Sequence, residues 1–205
     1  MRKIRTSIVN DDLVIKRRNE IVKNALKVFL KNGYEQTTMR DLAQSCRMTQ
    51  GNLYNYIGSK EDILHLIVLT SAIGGQPLTE LYKLGNLSYS DILREAMTAH
   101  YKNTNFIGEQ LLIINRHMRA FSSQDSKLLL ESEISIASFF EELIKRGVEA
   151  GEFQCDDPLL LAHDIIMFSN DWVLRKWFLK RHYTLDEYTQ KHIQMVMRLL
   201  KADKS

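Results

Sequence analysis

Residues 48–62 read MTQGNLYNYIGSKED, a polar, glycine-interrupted run set directly between two apolar-periodic segments. Its Leu53 and Ile57 stand four apart, as on one face of a helix, so a short helix shown to solvent fits better than a loop. Thr49 is placed to cap the start of that helix. With Leu53 and Ile57 inward, Thr49, Gln50, Asn52, Tyr54, Asn55 and Tyr56 remain outward, and their hydrogen-bonding side chains suit base edges and phosphates in a groove wide enough for a helix. Tyr54 and Tyr56, two apart, cannot share one helical face, so at least one of them is expected at the surface. Gly51 leaves room for close approach, at a cost of about 1 kcal/mol as a helix-interior glycine. Lys60 is placed for a phosphate.

Working outward, the periodicity predicts a first helix from about Lys16 to Asn32, with Ile21, Ala25, Val28 and Phe29 on one face and Gly33 in the left-handed cap position. A second begins at Thr38, where Thr38-Met39-Arg40-Asp41 has the capping-box pattern, and delivers Leu42 and Ala43 to the core by about Cys46. Arg47-Met48 then form the turn before Thr49. Ser59-Lys60-Glu61-Asp62 repeats the capping box ahead of a fourth helix carrying Ile63, Leu64, Ile67 and Val68. Two short helices joined by a tight turn, buttressed on both sides, make a helix-turn-helix. The same pieces also suit a helical hairpin that packs on some other surface.

Charge separates this segment from the rest of the chain. Residues 1–60 carry 12 Lys or Arg against 5 Asp or Glu, whereas residues 61–205 carry 16 against 20. Such asymmetry points the first part towards a polyanion. The tail residues Arg2, Lys3 and Arg5 either reach a minor groove or stay disordered. The 205 residues, 44% of them hydrophobic, suffice for a packed core. No long apolar run and no signal-peptide pattern occurs, so a cytoplasmic protein without membrane contact is expected. Cys46 and Cys155 lie far apart with no CxxC or metal-ligand spacing, so reduced thiols and no metal site are expected. Only Pro77 and Pro158 interrupt a chain whose apolar residues recur at three and four nearly throughout. The predicted fold class is therefore all-α.

The run Ala25, Phe29, Gly33-Tyr34, Thr37-Thr38, Asp41-Leu42-Ala43, Gly51, Leu53-Tyr54, Tyr56 and Ser59-Lys60-Glu61 resembles the DNA-binding domain of TetR-type transcriptional regulators, over roughly residues 16–70. The resemblance implies that Thr38 and Arg40 touch DNA backbone or flanking bases, that Thr49, Gln50, Gly51, Asn52, Tyr54 and Tyr56 line the recognition helix, and that Lys60 meets phosphate. Two departures stand out. Cys46-Arg47-Met48 occupies a turn where the family usually has Ala-Gly-Val, so that Arg47 either strains the turn or adds a phosphate contact, and Ile57 stands where Phe is common.

The remainder divides into helices near 89–103, 105–121, 124–150, 157–181 and 185–202. Two starts are well signalled, by Asp156-Asp157-Pro158 and by the capping box Thr184-Leu185-Asp186-Glu187. Gly74-Gly75-Gln76-Pro77 and Leu84-Gly85-Asn86 bracket either a mobile segment or a short separate helix. Order and size again resemble the TetR family, which implies a homodimer formed by the last two long helices. The stripe Tyr188, His192, Met195, Val196 and Leu199, with Ile165, Phe168, Trp172 and Leu179 beside it, agrees with that, and an intramolecular core would use it equally well. Large adaptable side chains, among them Tyr101, Phe106, Met118, Phe121, Phe139, Phe140, Phe168 and Trp172, suit a mostly apolar effector pocket or simply core. Asn170–Trp177 is similar to a pattern in some fatty-acid or acyl-coenzyme A responsive members, with Arg175 a candidate for an anionic group or an ordinary ion pair.

No P-loop, GxGxxG after a strand, GxSxG or HExxH is present, so no catalytic residue, cofactor or enzyme activity is expected. The expected organisation is a basic extension over 1–15, a helix-turn-helix domain over 16–73 and an effector-binding and dimerisation domain over 74–205. The expected function is a ligand-responsive regulator, released as a repressor from a palindromic double-stranded operator by a small, largely apolar or acyl-type effector. The competing reading is a helical apolar-ligand-binding or adaptor protein without DNA activity, and behind it a helical enzyme with an unmarked site; salt-dependent duplex binding separates the regulator from both.

Overall fold

The structure, a computed structural model, describes residue 4, residues 6–73 and residues 87–201. Every regular element among them is helical, and the segment bracketed by Gly74 and Asn86 lies outside the described residues. Contacts divide the chain into two units, Met1–Gly74 with Glu109–Leu130, and Gly75–Gly108 with Glu131–Ser205.

In the first unit, α1 spans Asp11–Asn32, starting five residues before the expected Lys16. Its cap is Asn10, whose side chain accepts from the Leu13 amide at 3.0 Å, and Asp11 and Asp12 set negative charge against the positive helix end. The start is hidden in the sequence because Leu13 and Ile15 are exposed and only Val14 faces the core. Gly33 ends α1 at φ 84° and ψ 149°, and its amide still bonds the Phe29 carbonyl. The positive φ requires glycine there, but the extended ψ corrects the expected left-handed cap and turns the chain straight towards α2.

Helix α2 (Met39–Ser45) carries the full capping box of Thr38 and Asp41. α3 (Gln50–Tyr54) is a single short helix capped by Thr49, and α4 spans Lys60–Ile73. Ahead of α4 the Asp62 carboxylate accepts from the Gly58 amide at 2.8 Å, one residue before the Ser59 amide of the expected box. Ile21, Ala25 and Phe29 of α1 meet Leu42, Leu53, Ile57, Ile63, Leu64 and Ile67 in one core. Ile113 and Ile114 of α6 (Gly108–His117) and Phe121 complete it. The helix expected over 105–121 is thus shorter, because it breaks at Ile107 and ends in a 3-10 turn at Met118–Ala120.

In the second unit, α5 (Tyr89–Phe106), α8 (Pro158–Leu174) and α10 (Leu185–Leu199) pack on one another, together with α7 (Ser123–Glu149) from Glu131 onwards. Asp157 caps α8 ahead of Pro158, and Thr184 and Glu187 form the box that opens α10. The single helix expected over 157–181 is interrupted at Arg175 (φ −110°, ψ 20°), after which α9 spans only Lys176–Leu179. Leu93, Met97, Tyr101, Phe140, Leu143, Ile165, Trp172, Ile193 and Val196 are buried together here. The expected apolar stripe on α10 is split. Tyr188 and Val196 are buried within the unit, whereas Met195 and Leu199 are 38% and 57% exposed, so only the latter two remain for a partner.

Candidate nucleic-acid interface

The turn between α2 and α3 places the recognition segment. Arg47 sits at φ 55°, in the left-handed region that glycine prefers, and the next amide, that of Met48, bonds back to the Ala43 carbonyl at 2.9 Å. Where the resemblance leads one to expect glycine, the chain thus has a strained but exposed arginine. α3 then leaves with Leu53 and Ile57 fully buried below it.

Thr49, Gln50, Gly51 and Asn52 are exposed along α3, and Tyr54 is 47% exposed. The Thr49 hydroxyl is occupied as the cap, accepting from the Asn52 amide at 3.2 Å. A Cβ built at Gly51 would meet nothing of this chain within 4 Å. Its own packing does not demand glycine there, which fits space kept for something outside the chain. Arg40 is exposed on the first turn of α2. Thr38 is exposed too, with its hydroxyl donating to Asp41 Oδ2 at 2.7 Å, a bond that leads in holding the Asp41 carboxyl below its usual range.

Three expected contacts are placed differently. Tyr56 is 7% exposed and its ring joins the core, so it is corrected from a groove-facing to a core residue. Two positions beyond Tyr54, it falls on the side that Leu53 and Ile57 occupy. Asn55 is half-buried and accepts Thr6 Oγ1 on its carbonyl (2.8 Å) and Ser7 Oγ on Oδ1 (3.1 Å). Lys60 lies with its ammonium 4.6 Å from the centre of the Tyr34 ring, donating to the carbonyls of Tyr34 (2.9 Å) and Glu35 (3.3 Å). It fastens α4 to the loop after α1.

The expected effector residues do not form one group. Tyr101, Phe168 and Trp172 come together around Tyr188 and His192, with the His192 ring 4.2 Å from Tyr188 and 4.7 Å from Phe168, and Trp172 5.3 Å from Tyr188. Phe139 packs on Phe140, which meets His100 edge-on. Phe106 is 79% exposed, Met118 and Phe121 belong to the other unit, and Arg175 stands at the surface 3.8 Å from Asp171, so these four are corrected out of the cluster.

Polar groups inside the cluster escape a reading of the sequence by bulk. Tyr101 Oη lies 3.0 Å from His192 Nδ1, Ser169 Oγ 2.9 Å from His100 Nε2, and Trp172 Nε1 donates to Asn105 Oδ1 at 3.0 Å. Their signal is helical spacing, since His100, Tyr101, Thr104 and Asn105 share a face of α5, and Ser169 and Trp172 one of α8. Burial pushes the His100 imidazole down to about 4 and the Tyr101 hydroxyl up, so both are neutral at ordinary pH. The cluster is aromatic, hydrogen-bonded and uncharged at its centre.

With this geometry in place, comparison with known proteins is specific. The family described as bacterial regulatory proteins, tetR family, matches residues 21–67, and that described as tetracyclin repressor-like, C-terminal domain, matches residues 86–200. The HTH-type transcriptional regulator HbdR of Aromatoleum sp. (strain CIB) is 22% identical over 195 residues, 95% of this chain and 85% of that protein. A bacterial regulatory protein in the tetR family from Rhodococcus RHA1 has the same fold at a TM-score of 0.79 and 22% identity, covering 90% of this chain and 97% of that one. AibR, solved in complex with isovaleryl coenzyme A and operator DNA, follows at a TM-score of 0.72 and 22% identity, covering 87% and 97%. With both its helix-turn-helix and its C-terminal helical region matched, the chain belongs to the tetR family of bacterial regulatory proteins.

Proposed function

We propose that the protein is a homodimeric transcriptional repressor that binds a palindromic DNA operator through α3 and is released by a small, acyl-type effector. The observation that carries the DNA reading is α3 itself. It buries Leu53 and Ile57 and leaves Thr49, Gln50, Gly51, Asn52 and Tyr54 outward, on the segment of the chain with excess positive charge. Two such helices set about 34 Å apart meet successive major grooves of a two-fold site. Leu159 and Leu160 of α8 and Met195 and Leu199 of α10, all exposed, supply the apolar surface that a second copy would cover.

The effector reading rests on the neutral aromatic cluster of Tyr101, Phe168, Trp172 and Tyr188, and on the coenzyme A thioester bound by AibR. An uncharged, hydrogen-bonding interior suits the acyl part of such a ligand better than its charged nucleotide. Release follows if the ligand binds more tightly to a dimer whose two recognition helices no longer match the groove spacing.

Selection of bound duplexes from a random pool, followed by Gln50→Ala, tests the central claim. We expect a palindrome, with preference relaxed at one base pair per half-site in the variant. Unchanged preference at every position would overturn the assignment of α3. A thermal-shift series with acyl-coenzyme A thioesters of increasing chain length tests the effector; a melting point that none of them moves sinks that part.

A further inference from the structure

The end of α6 lies against the loop that joins α1 to α2. There the His117 ring stands 5.7 Å from that of Tyr34. Tyr34 is buried, with Phe29 edge-on at 5.2 Å and the Lys60 ammonium 4.6 Å from the centre of its ring. Its hydroxyl donates to Glu61 Oε1 at 3.2 Å, and its carbonyl accepts Lys60 Nζ at 2.9 Å. One tyrosine thus gathers the close of α1, the start of α4 and the close of α6, all inside the first unit. Packing of this kind fixes where the neighbours of His117 can stand. Four residues beyond Tyr34, Thr38 opens α2, and Arg40 follows it exposed.

The neighbours of His117 are cations. Arg116 precedes it in the last turn of α6, and Arg119 follows in the 3-10 turn Met118–Ala120. Three apart, the two fall on one side of the chain. Both are exposed, and among the described residues neither makes an ion pair or a side-chain hydrogen bond. Arg146, also exposed, is answered by Glu142 one turn away at 2.8 Å. Residues 110–124 contain no Asp or Glu, although residues 61–205 as a whole carry more acids than bases. With Lys31, exposed in the last turn of α1, and Lys60, the cations of this corner outnumber its acids Glu35 and Glu61. We propose that Arg116 and Arg119 bind duplex DNA, meeting the backbone phosphates that flank the half-site read by α3. The occupant is DNA because the two guanidinium groups are uncompensated, and because Tyr34 joins them to the loop leading into Thr38 and Arg40 at the edge of the candidate interface. This rests on the operator-binding reading and extends it from base readout to footprint and affinity.

The test uses the full chain on the duplex recovered by selection, with long flanks and trimmed to the palindrome. R116Q/R119Q removes the charge, and R116K/R119K keeps it. For the glutamine variant on long flanks we expect the slope of log K against log salt to shrink by about 1 to 2, at roughly 0.9 for each phosphate no longer neutralised. Hydroxyl-radical protection should retreat at the outer edges, with base preference inside the half-site unchanged. The lysine variant should restore both slope and protection. Trimming the duplex should lower the parent's slope and leave that of the glutamine variant as it is, which ties the effect to the flanking phosphates rather than to the fold. Since both arginines are exposed, a melting curve close to the parent's is expected for each variant. An unchanged slope and footprint in R116Q/R119Q, on a duplex where Gln50→Ala still alters base preference, overturns the contact and leaves the regulator standing. A lysine variant that binds no better than the glutamine one overturns it equally. Failure of the parent protein to bind any duplex overturns both.

Discussion

His65 Nδ1 lies 2.5 Å from Asp125 Oδ1, joining α4 to the first turn of α7 across 60 residues of sequence. Both side chains are essentially inaccessible, at 0% and 2% exposure. Asp125 also takes the Ser122 hydroxyl on Oδ2 at 2.7 Å, and its amide donates to that hydroxyl at 3.1 Å. His65 Nε2, by contrast, is buried with no hydrogen-bond partner among the described residues. The pair links the helix that leaves the helix-turn-helix to a segment some sixty residues further on, inside one unit.

Removing one member strands the other. Asp125→Ala should cost about 1–3 kcal/mol, since it leaves the buried His65 imidazole without its acceptor. Replacing both residues by leucine, which takes out the polar pair together, should cost much less than the sum of the two single changes. Urea unfolding of the two singles and the double closes the cycle. Additive losses would show that the two side chains do not act as a pair.

The buried imidazole of His100 makes stability depend on pH. Its folded value is pushed down to about 4 from 6.5 by burial, so below neutrality the unfolded chain binds a proton that the folded one refuses. Stability should be fully present above about 6.5 and fall as pH drops towards 4, by on the order of 3 kcal/mol from this group. His100→Gln keeps a side chain able to meet Ser169 Oγ and lacks the titration. Its melting point should therefore fall less steeply over that window, and a slope equal to the parent's would locate the proton uptake elsewhere.

Arg47 stands at φ 55° where the resemblance leads one to expect glycine. Arg47→Gly should relieve roughly 1 kcal/mol of backbone strain, partly offset by the greater freedom of glycine in the unfolded chain. A small rise in the urea midpoint is expected. If DNA affinity falls while stability rises, the arginine also meets a phosphate, and the strain is retained for that contact. A fall in stability instead would mean that the turn prefers arginine for a reason outside its dihedrals.

What the sequence displays and what it hides follow from how each feature is encoded. The caps at Thr38, Thr49, Asp157 and Thr184 are local, with side chain and backbone partner within a few residues, and all are where their spacing predicts. The inward pair Leu53 and Ile57 is equally local. Tyr56, three residues after Leu53, falls on the same inward side, and the reading that set it outward followed its hydroxyl rather than its spacing. The start of α1 was masked by exposed Leu13 and Ile15, and the break at Arg175 carries no glycine or proline to announce it. Pairings such as His65 with Asp125, Tyr101 with His192 and Ser7 with Asn55 join residues 48 to 91 apart, which no local pattern records. The extension illustrates the limit best, since composition read it as a basic tail while a single buried isoleucine and Arg18 hold its middle in place.

Gly147 is required by packing rather than by its backbone. A Cβ there would stand 2.1 Å from Phe153 Cδ2, a side chain that is itself buried. The amides of Glu152 and Phe153 both bond the Gly147 carbonyl, so the ring cannot swing away without breaking the turn after α7. Gly147→Ala should therefore cost about 1–3 kcal/mol, against the usual gain of about 1 kcal/mol for replacing a helical glycine. The combination with Phe153→Leu should recover part of the loss in a thermal melt, and a single variant more stable than the parent would show the ring free to move.

The exposed leucines of α8 give the last prediction. Leu160 is 56% exposed, so Leu160→Glu should leave the fold and melting point of the isolated subunit nearly unchanged. If a second copy covers it, the same substitution places a charge in an apolar interface and costs several kcal/mol of association. Sedimentation should then shift from dimer to monomer at micromolar concentration. Operator affinity should fall by about 100-fold or more, because each recognition helix alone lacks the effective concentration that its twin provides. A variant that stays dimeric and binds as before places the two-fold contact on another surface, and would leave Leu159, Leu160, Met195 and Leu199 to be explained by some other partner.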